Sequence, residues 1–345
     1  GRRSVAPVPP TQKQVNMPDI DRPNFQDRRD FMKSAGLAAT GFAALPLLGC
    51  DTQSRMSLDR SGASKPLAIP RLQAGTIERG ERVFRLSLTP GEKEFVSGTP
   101  SPTIGIDASY LGPTLEMRRG EQVRFQIDNK LAEDATVHWH GFELPATADG
   151  GPHQLVRPGE RWSPSFEIRQ RASLYWYHSH LHRRAGPQVY AGLAAPIYVR
   201  DEEEDRLDLP SRYGVDDIPL VVQDRVIDGA GRLVYPLDMH SRMMGVMGER
   251  IYVNGTANAV FEAAAGPLRL RLLNGSNARF YTFSLEGDRP MQLIASDGGL
   301  LAAPSEVRSL TLAPGERGQV IVDLSEGRPL RLIASSPANA MGMMG

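Results

Sequence analysis

Two short segments concentrate the side chains that could bind a metal. One reads Val137-His138-Trp139-His140-Gly141, the other Trp176-Tyr177-His178-Ser179-His180-Leu181-His182. They hold five of the seven histidines; His153 and His240 lie apart. In an extended strand, side chains at i and i+2 share a face and sit roughly 6.5–7 Å apart. Each His-x-His pair therefore presents two imidazoles to one side, with Trp139 and Ser179 directed away. Two such strands with facing pairs would place four neutral nitrogen donors around one space. Imidazole suits copper, zinc, iron and nickel. A lone pair would be read as ordinary structural histidine; two pairs, each beside aromatic residues, point to a metal. Cys50 is the sole cysteine of the 345 residues, which excludes an internal disulfide and a cysteine zinc site.

The elements that must carry these histidines are short strands. Gly 34 and Pro 27 together exceed the average of about 12% of residues, which favours turns over long helices. Apolar and polar residues alternate with period two in Val83-Phe84-Arg85-Leu86-Ser87-Leu88, Val123-Arg124-Phe125-Gln126-Ile127, Leu268-Arg269-Leu270-Arg271-Leu272 and Val320-Ile321-Val322-Asp323-Leu324. Pro158-Gly159-Glu160 and Pro314-Gly315-Glu316 stand before strands in two separate stretches. The pattern predicts an all-β chain with a repeated unit, over 71–200 and again over 216–336, each a Greek-key sandwich or barrel. Residues 51–70 read as a polar linker, and 201–215, opening on Asp201-Glu202-Glu203-Glu204-Asp205, as a solvated acidic linker.

Lys plus Arg is 40 and Asp plus Glu is 40, so the net charge is zero and a general nucleic-acid binder is not expected. Residues 1–16 read as an upstream extension. Residues 17–50 read as an export signal: Arg28-Arg29-Asp30-Phe31-Met32-Lys33 precedes a weakly apolar run from Ser34 to Leu48, too short to span a membrane. This resembles a twin-arginine signal, which implies a periplasmic or cell-envelope location. Leu47-Leu48-Gly49-Cys50 resembles a lipoprotein processing site, which would attach the chain to a membrane through lipidated Cys50.

His138-Trp139-His140-Gly141 and His178-Ser179-His180 resemble the first two copper-binding motifs of the multicopper oxidases, close in pattern to bacterial cuprous oxidases and periplasmic laccases. Supporting stretches run across the chain: Leu111-Gly112-Pro113-Thr114, Asp149-Gly150-Gly151-Pro152-His153-Gln154, Arg271 to Arg279, and Ala295-Ser296-Asp297-Gly298-Gly299. The resemblance implies two consecutive cupredoxin-like domains after the export signal. It implies that His138 binds a type 2 copper and that His140, His178 and His180 bind the type 3 pair. In that family the three coppers reduce dioxygen to water, with electrons from a reductant such as Cu(I) or a phenol. Asp149 matches an acidic residue that relays protons, although an aspartate before Gly150-Gly151 is also an ordinary turn residue. His182 is expected to be a supporting or surface residue.

The family's type 1 copper needs two histidines and a cysteine thiolate. Past Cys50 there is no cysteine, and past His240 no histidine. The expectation is therefore a chain truncated before a third cupredoxin domain, with residues 337–345 as the start of the linker to it. The alternative is a non-enzymatic periplasmic copper-binding or scaffold protein of the same fold, comparable to the copper-free oxidase-like protein of bacterial cell division. Met239, Met243, Met244 and Met247 form one cluster and Met341, Met343 and Met344 another. Thioethers suit Cu(I), but gap-filling in a core or domain contact is the simpler expectation.

Overall fold

The computed structural model describes residues 64–336. The export signal, Cys50 and the methionines after Ser336 lie outside the described residues. Strands dominate, and they form two halves. In the first, a six-stranded sheet built on Glu81–Val96 and Gln122–Asn129 faces a five-stranded sheet in which Thr114–Arg118, Ala194–Arg200, Ser173–His178 and His138–His140 lie side by side. Both sheets mix parallel and antiparallel neighbours: Glu81–Val96 runs parallel to Gln122–Asn129, and Ala194–Arg200 runs parallel to Thr114–Arg118 but antiparallel to Ser173–His178. The inward residues of the predicted alternations fill the space between the sheets. Phe84 stacks on Phe125 at 5.1 Å between ring centroids, and Phe125 meets Trp139 at 4.0 Å. Burying rings of this size supplies much of a small core's stability.

The second half pairs a seven-stranded sheet, with Asp217–Ile227, Pro267–Asn274 and Arg317–Asp323 at its centre, with a three-stranded sheet around Tyr281–Leu285. Its core gathers Leu270, Leu272, Tyr281, Phe283 and Val320. A third buried cluster joins the halves: Tyr110, Leu174, Trp176 and Tyr198 from the first pack with Val221, Tyr252 and Leu273 from the second.

Two linker expectations are corrected. The polar stretch before residue 71 is not free up to its end. Lys65–Pro66 pairs in parallel with Ala259–Val260, and Leu67 and Ile69 pack on the second core. The acidic run is not merely solvated. Glu202–Asp205 forms a short helix capped by the Asp201 side chain, which accepts from the Glu204 N–H. Glu204 is buried, because it faces Arg200, Arg269 and Arg271 at 3.4, 2.7 and 3.2 Å. Arg269 and Arg271 occupy the polar positions of the alternating run from Leu268 to Leu272, and both are fully buried. The methionines of the helix Met239–Met244 are also not core filler: Met239 is 73% and Met243 76% exposed.

Candidate metal centre

The site is built by two neighbouring strands. His138–His140 pairs antiparallel with Ser173–His178, so that His138 lies opposite His178, Trp139 opposite Tyr177 and His140 opposite Trp176. Strand alternation then separates the two faces. Trp139 and Tyr177 point into the core, where both are fully buried and their rings lie 6.0 Å apart. The Trp139 indole N–H donates to the Ala148 carbonyl at 3.0 Å, so a large apolar ring enters the core with its polar atom satisfied. His138, His140, Trp176 and His178 share the other face. Ring centroids of His138 lie 6.0 Å from His140 and 5.4 Å from His178, and His140 lies 5.4 Å from His178.

His180 departs from the strand expectation, since the strand ends at His178. It still joins the group, with its ring 5.1 Å from His138 and 5.9 Å from His178. Its backbone N–H donates to Thr136 Oγ1 at 2.7 Å, which fixes the chain beside the residues leading into the first pair. Ser179 turns away as expected: it is buried, and its hydroxyl donates to Gln188. His153, His182 and His240 are exposed and stand apart from the cluster's ring contacts.

Backbone hydrogen bonds choose which nitrogen is free in two of the rings, His138 and His178. A carbonyl can only accept, so His138 Nδ1 donates to the Asp149 carbonyl at 2.9 Å, and its Nε2 keeps the lone pair. His178 Nδ1 donates to the Ser179 carbonyl at 2.8 Å, which likewise leaves Nε2. That atom accepts from His140 Nδ1 at 3.2 Å. Two imidazole nitrogens on one ion, each about 2.0–2.1 Å from it, sit roughly 3.3 Å apart in a tetrahedral shell. Donor atoms of His138, His140 and His178 all lie within 4.8 Å of one another. Burial, reinforced by Arg317, His138 and His180, lowers the His140 pKa to about 4. Burial holds His178 well below its ordinary value. Both rings stay neutral at physiological pH, the form that binds metal.

Asp149 touches the centre twice. Beyond its carbonyl, its half-exposed carboxylate lies 3.3 Å from His138 Nδ1. The turn that holds it requires Gly150 at φ +73°, where an added Cβ would sit 1.7 Å from the Val137 carbonyl oxygen.

Two neighbours escaped the sequence reading. Trp176 stacks on His178 at 3.9 Å and tilts against His140 at 4.9 Å. Its place on the histidine face was readable from the same alternation. Arg317 comes from the second half; it is buried, donates to the Leu174 carbonyl and pairs with Asp297 at 2.9 Å. No local signal marks it, because its partners lie far away in sequence.

Comparison with known proteins decides the family. Residues 88–204 and 197–329 each match a family described as multicopper oxidase. The chain belongs to the multicopper oxidase family. Its two halves are cupredoxin-type domains, and the family implies copper as the metal. Among curated relatives, the cell division protein FtsP of Rahnella sp. (strain Y9602) is 38% identical over 314 residues, 91% of this chain and 63% of that protein. FtsP of Escherichia coli (strain K12) is 34% identical over 312 residues, again 63% of its length. The chain thus spans less than two thirds of these relatives. Among solved structures, the laccase-like multicopper oxidase CueO from Ochrobactrum sp. is 38% identical with a TM-score of 0.74, covering 78% of this chain and 60% of that one. McoA from Aquifex aeolicus is 36% identical with a TM-score of 0.71, covering 76% and 58%.

Proposed function

We propose that the chain binds copper through His138, His140, His178 and His180 and forms half of the dioxygen-reducing centre of a multicopper oxidase. The observation that carries this reading is the convergence of four imidazoles, two of which, His138 and His178, donate Nδ1 to a backbone carbonyl and so keep Nε2 as the free nitrogen. By the family pattern His138 would hold the type 2 ion, and His140, His178 and His180 the type 3 pair. Copper, when bound, supplies the stepwise electron transfer that reduces dioxygen to water. The chain's own residues orient and seal. The Asp149 carbonyl sets the His138 tautomer, the Trp176 ring packs on His140 and His178, and the Asp149 carboxylate stands where it can pass protons in from solvent. A type 1 site and the remaining ligands would come from a third cupredoxin domain, and electrons from Cu(I) or a phenol. The proposed location is the periplasm, reached through Arg28-Arg29, with Cys50 as a lipid anchor; Arg28→Lys/Arg29→Lys should block export.

The FtsP-named relatives favour a second reading, a non-enzymatic envelope scaffold that keeps the oxidase fold. Copper binding separates the first reading from a copper-free scaffold, and oxygen consumption after a type 1 domain is supplied separates it from a scaffold that binds copper. Equilibrium dialysis of the full chain should find copper that is lost in His138→Ala/His178→Ala. Wild-type protein that retains no copper would leave the scaffold. The chain alone, lacking a cysteine after Cys50, should show no blue copper–thiolate band and no oxygen consumption with Cu(I) or a phenol.

A further inference from the structure

The second half of the molecule reaches the histidine cluster through one turn. Ala313-Pro314-Gly315-Glu316 leads into the strand Arg317–Asp323 and is closed by the Glu316 N–H, which donates to the Ala313 carbonyl at 3.0 Å. Its tip, Gly315 at φ +83°, lies against two rings of the first half. A Cβ there would sit 3.4 Å from His140 Cε1 and 3.4 Å from Trp176 Cζ2. A left-handed residue with no side chain lets the backbone come this close.

Arg317 holds the turn in that place. Its buried guanidinium directs its donors to both halves. Nη1 donates to the Gly315 carbonyl at 3.2 Å and pairs with the Asp297 carboxylate at 2.9 Å, and Nη2 donates to the Asp297 carbonyl at 3.2 Å. Nε crosses the seam to the Leu174 carbonyl at 3.1 Å, on the strand that ends at His178. Nη2 also fills the space beside Gly141, the residue after His140, where a Cβ would sit 2.8 Å from it. A planar guanidinium can hold several oxygens in one fixed arrangement, and a lysine ammonium cannot.

We propose that Arg317 is a positioning residue for His140. It locks the Gly315 turn onto the His140 ring, so that the second half sets the orientation of a ligand carried by the first. The consequence for copper rests on the reading of the four histidines as ligands; the clamp on the ring does not.

Two measurements on the full chain test this. In the metal-free protein, the His140 Hε1 proton sits on the carbon that Gly315 covers, and its NMR resonance is assigned by its loss in His140→Gln. Arg317→Lys, which keeps the charge but not the fork, should shift that resonance. Gly315→Leu should shift it too, since its side chain has no room above the ring. Leu285→Ala opens a cavity in the second core; it should lower Tm and leave the resonance in place. In chelator competition, Arg317→Lys and Gly315→Leu should each weaken copper by about tenfold or more. Neither should weaken it further in His140→Gln, because a residue acting through His140 then has nothing left to orient. A His140 resonance unmoved by both substitutions, or moved as much by Leu285→Ala, overturns the proposal. An undiminished copper loss in the His140→Gln background makes Arg317 a general brace and overturns it as well. Wild-type chain that binds no copper would remove the ligand reading instead, and the resonance would still decide the clamp.

Discussion

Gly150→Ala separates a positioned centre from a merely crowded one. Gly150 sits at φ +73°, and a methyl group there would lie 1.7 Å from the Val137 carbonyl oxygen and 3.0 Å from the His138 Cα. Left-handed backbone costs an alanine about 1–2 kcal/mol, and forcing backbone apart costs about 1–3 kcal/mol more. At roughly 2–4 °C per kcal/mol, Tm should fall by about 4–20 °C. The same displacement pulls the Asp149 carbonyl from His138 Nδ1, now 2.9 Å away. Losing a partner that orients a ligand typically weakens metal binding by about 10–100-fold. Gly151→Ala is the matched control. Gly151 lies outside the positive-φ set, and its added methyl would meet only the Asp149 carboxylate at 3.3 Å and Gln154 at 3.8 Å, both movable side-chain ends. Copper affinity by chelator competition, with Tm in parallel, should show a large loss in Gly150→Ala and little change in Gly151→Ala. Equal behaviour of the two variants would refute the role given to the Asp149 turn.

Three further outcomes are expected. Between about pH 4 and 6.5 the unfolded chain binds more protons than the folded one at His140, and His178 acts in the same direction. The apo-protein should therefore lose stability as pH falls through that window, and a Tm–pH series on His140→Gln/His178→Gln should show a shallower decline. Asp217→Ala removes a fully buried carboxylate that faces Arg271 at 2.6 Å and Arg200 at 3.2 Å. Leaving those cations uncompensated should cost about 3–5 kcal/mol in chemical denaturation. Asp149→Asn keeps the backbone carbonyl on His138, so copper affinity should stay within a few-fold of wild type; in an enzyme completed by a type 1 domain, dioxygen reduction should slow. A large loss of copper would make the carboxylate itself a positioning group.

The fold was legible where period-two alternation met aromatic residues. Val123 to Ile127 and Leu268 to Leu272 are strands, and the His-x-His spacing correctly placed imidazoles on one face and Trp139 on the other. Alternation says which residues share a face, not whether the second face is also covered. Arg269 and Arg271 stand at the polar positions of that alternation, and Glu204, Asp217 and Gln319 bury them. Those partners are distant in sequence, and no local pattern announces them. Tautomer choice was equally hidden, because it depends on the backbone carbonyls of Asp149 and Ser179, groups every residue carries. His180 was assigned to the cluster through the strand period, yet it arrives from beyond the strand, held by Thr136. The exposure of Met239 and Met243 follows from the placement of one short helix, which composition does not determine.

The central claim is that His138, His140, His178 and His180 hold copper. X-ray absorption at the copper edge of the copper-loaded full chain tests it most directly, because it distinguishes imidazole nitrogen from thioether sulfur among the ligands. The expected spectrum has an imidazole shell without sulfur, and His138→Ala/His178→Ala should lose that shell together with the bound copper. Sulfur scattering from methionine, or a copper site unchanged in the double variant, would contradict it.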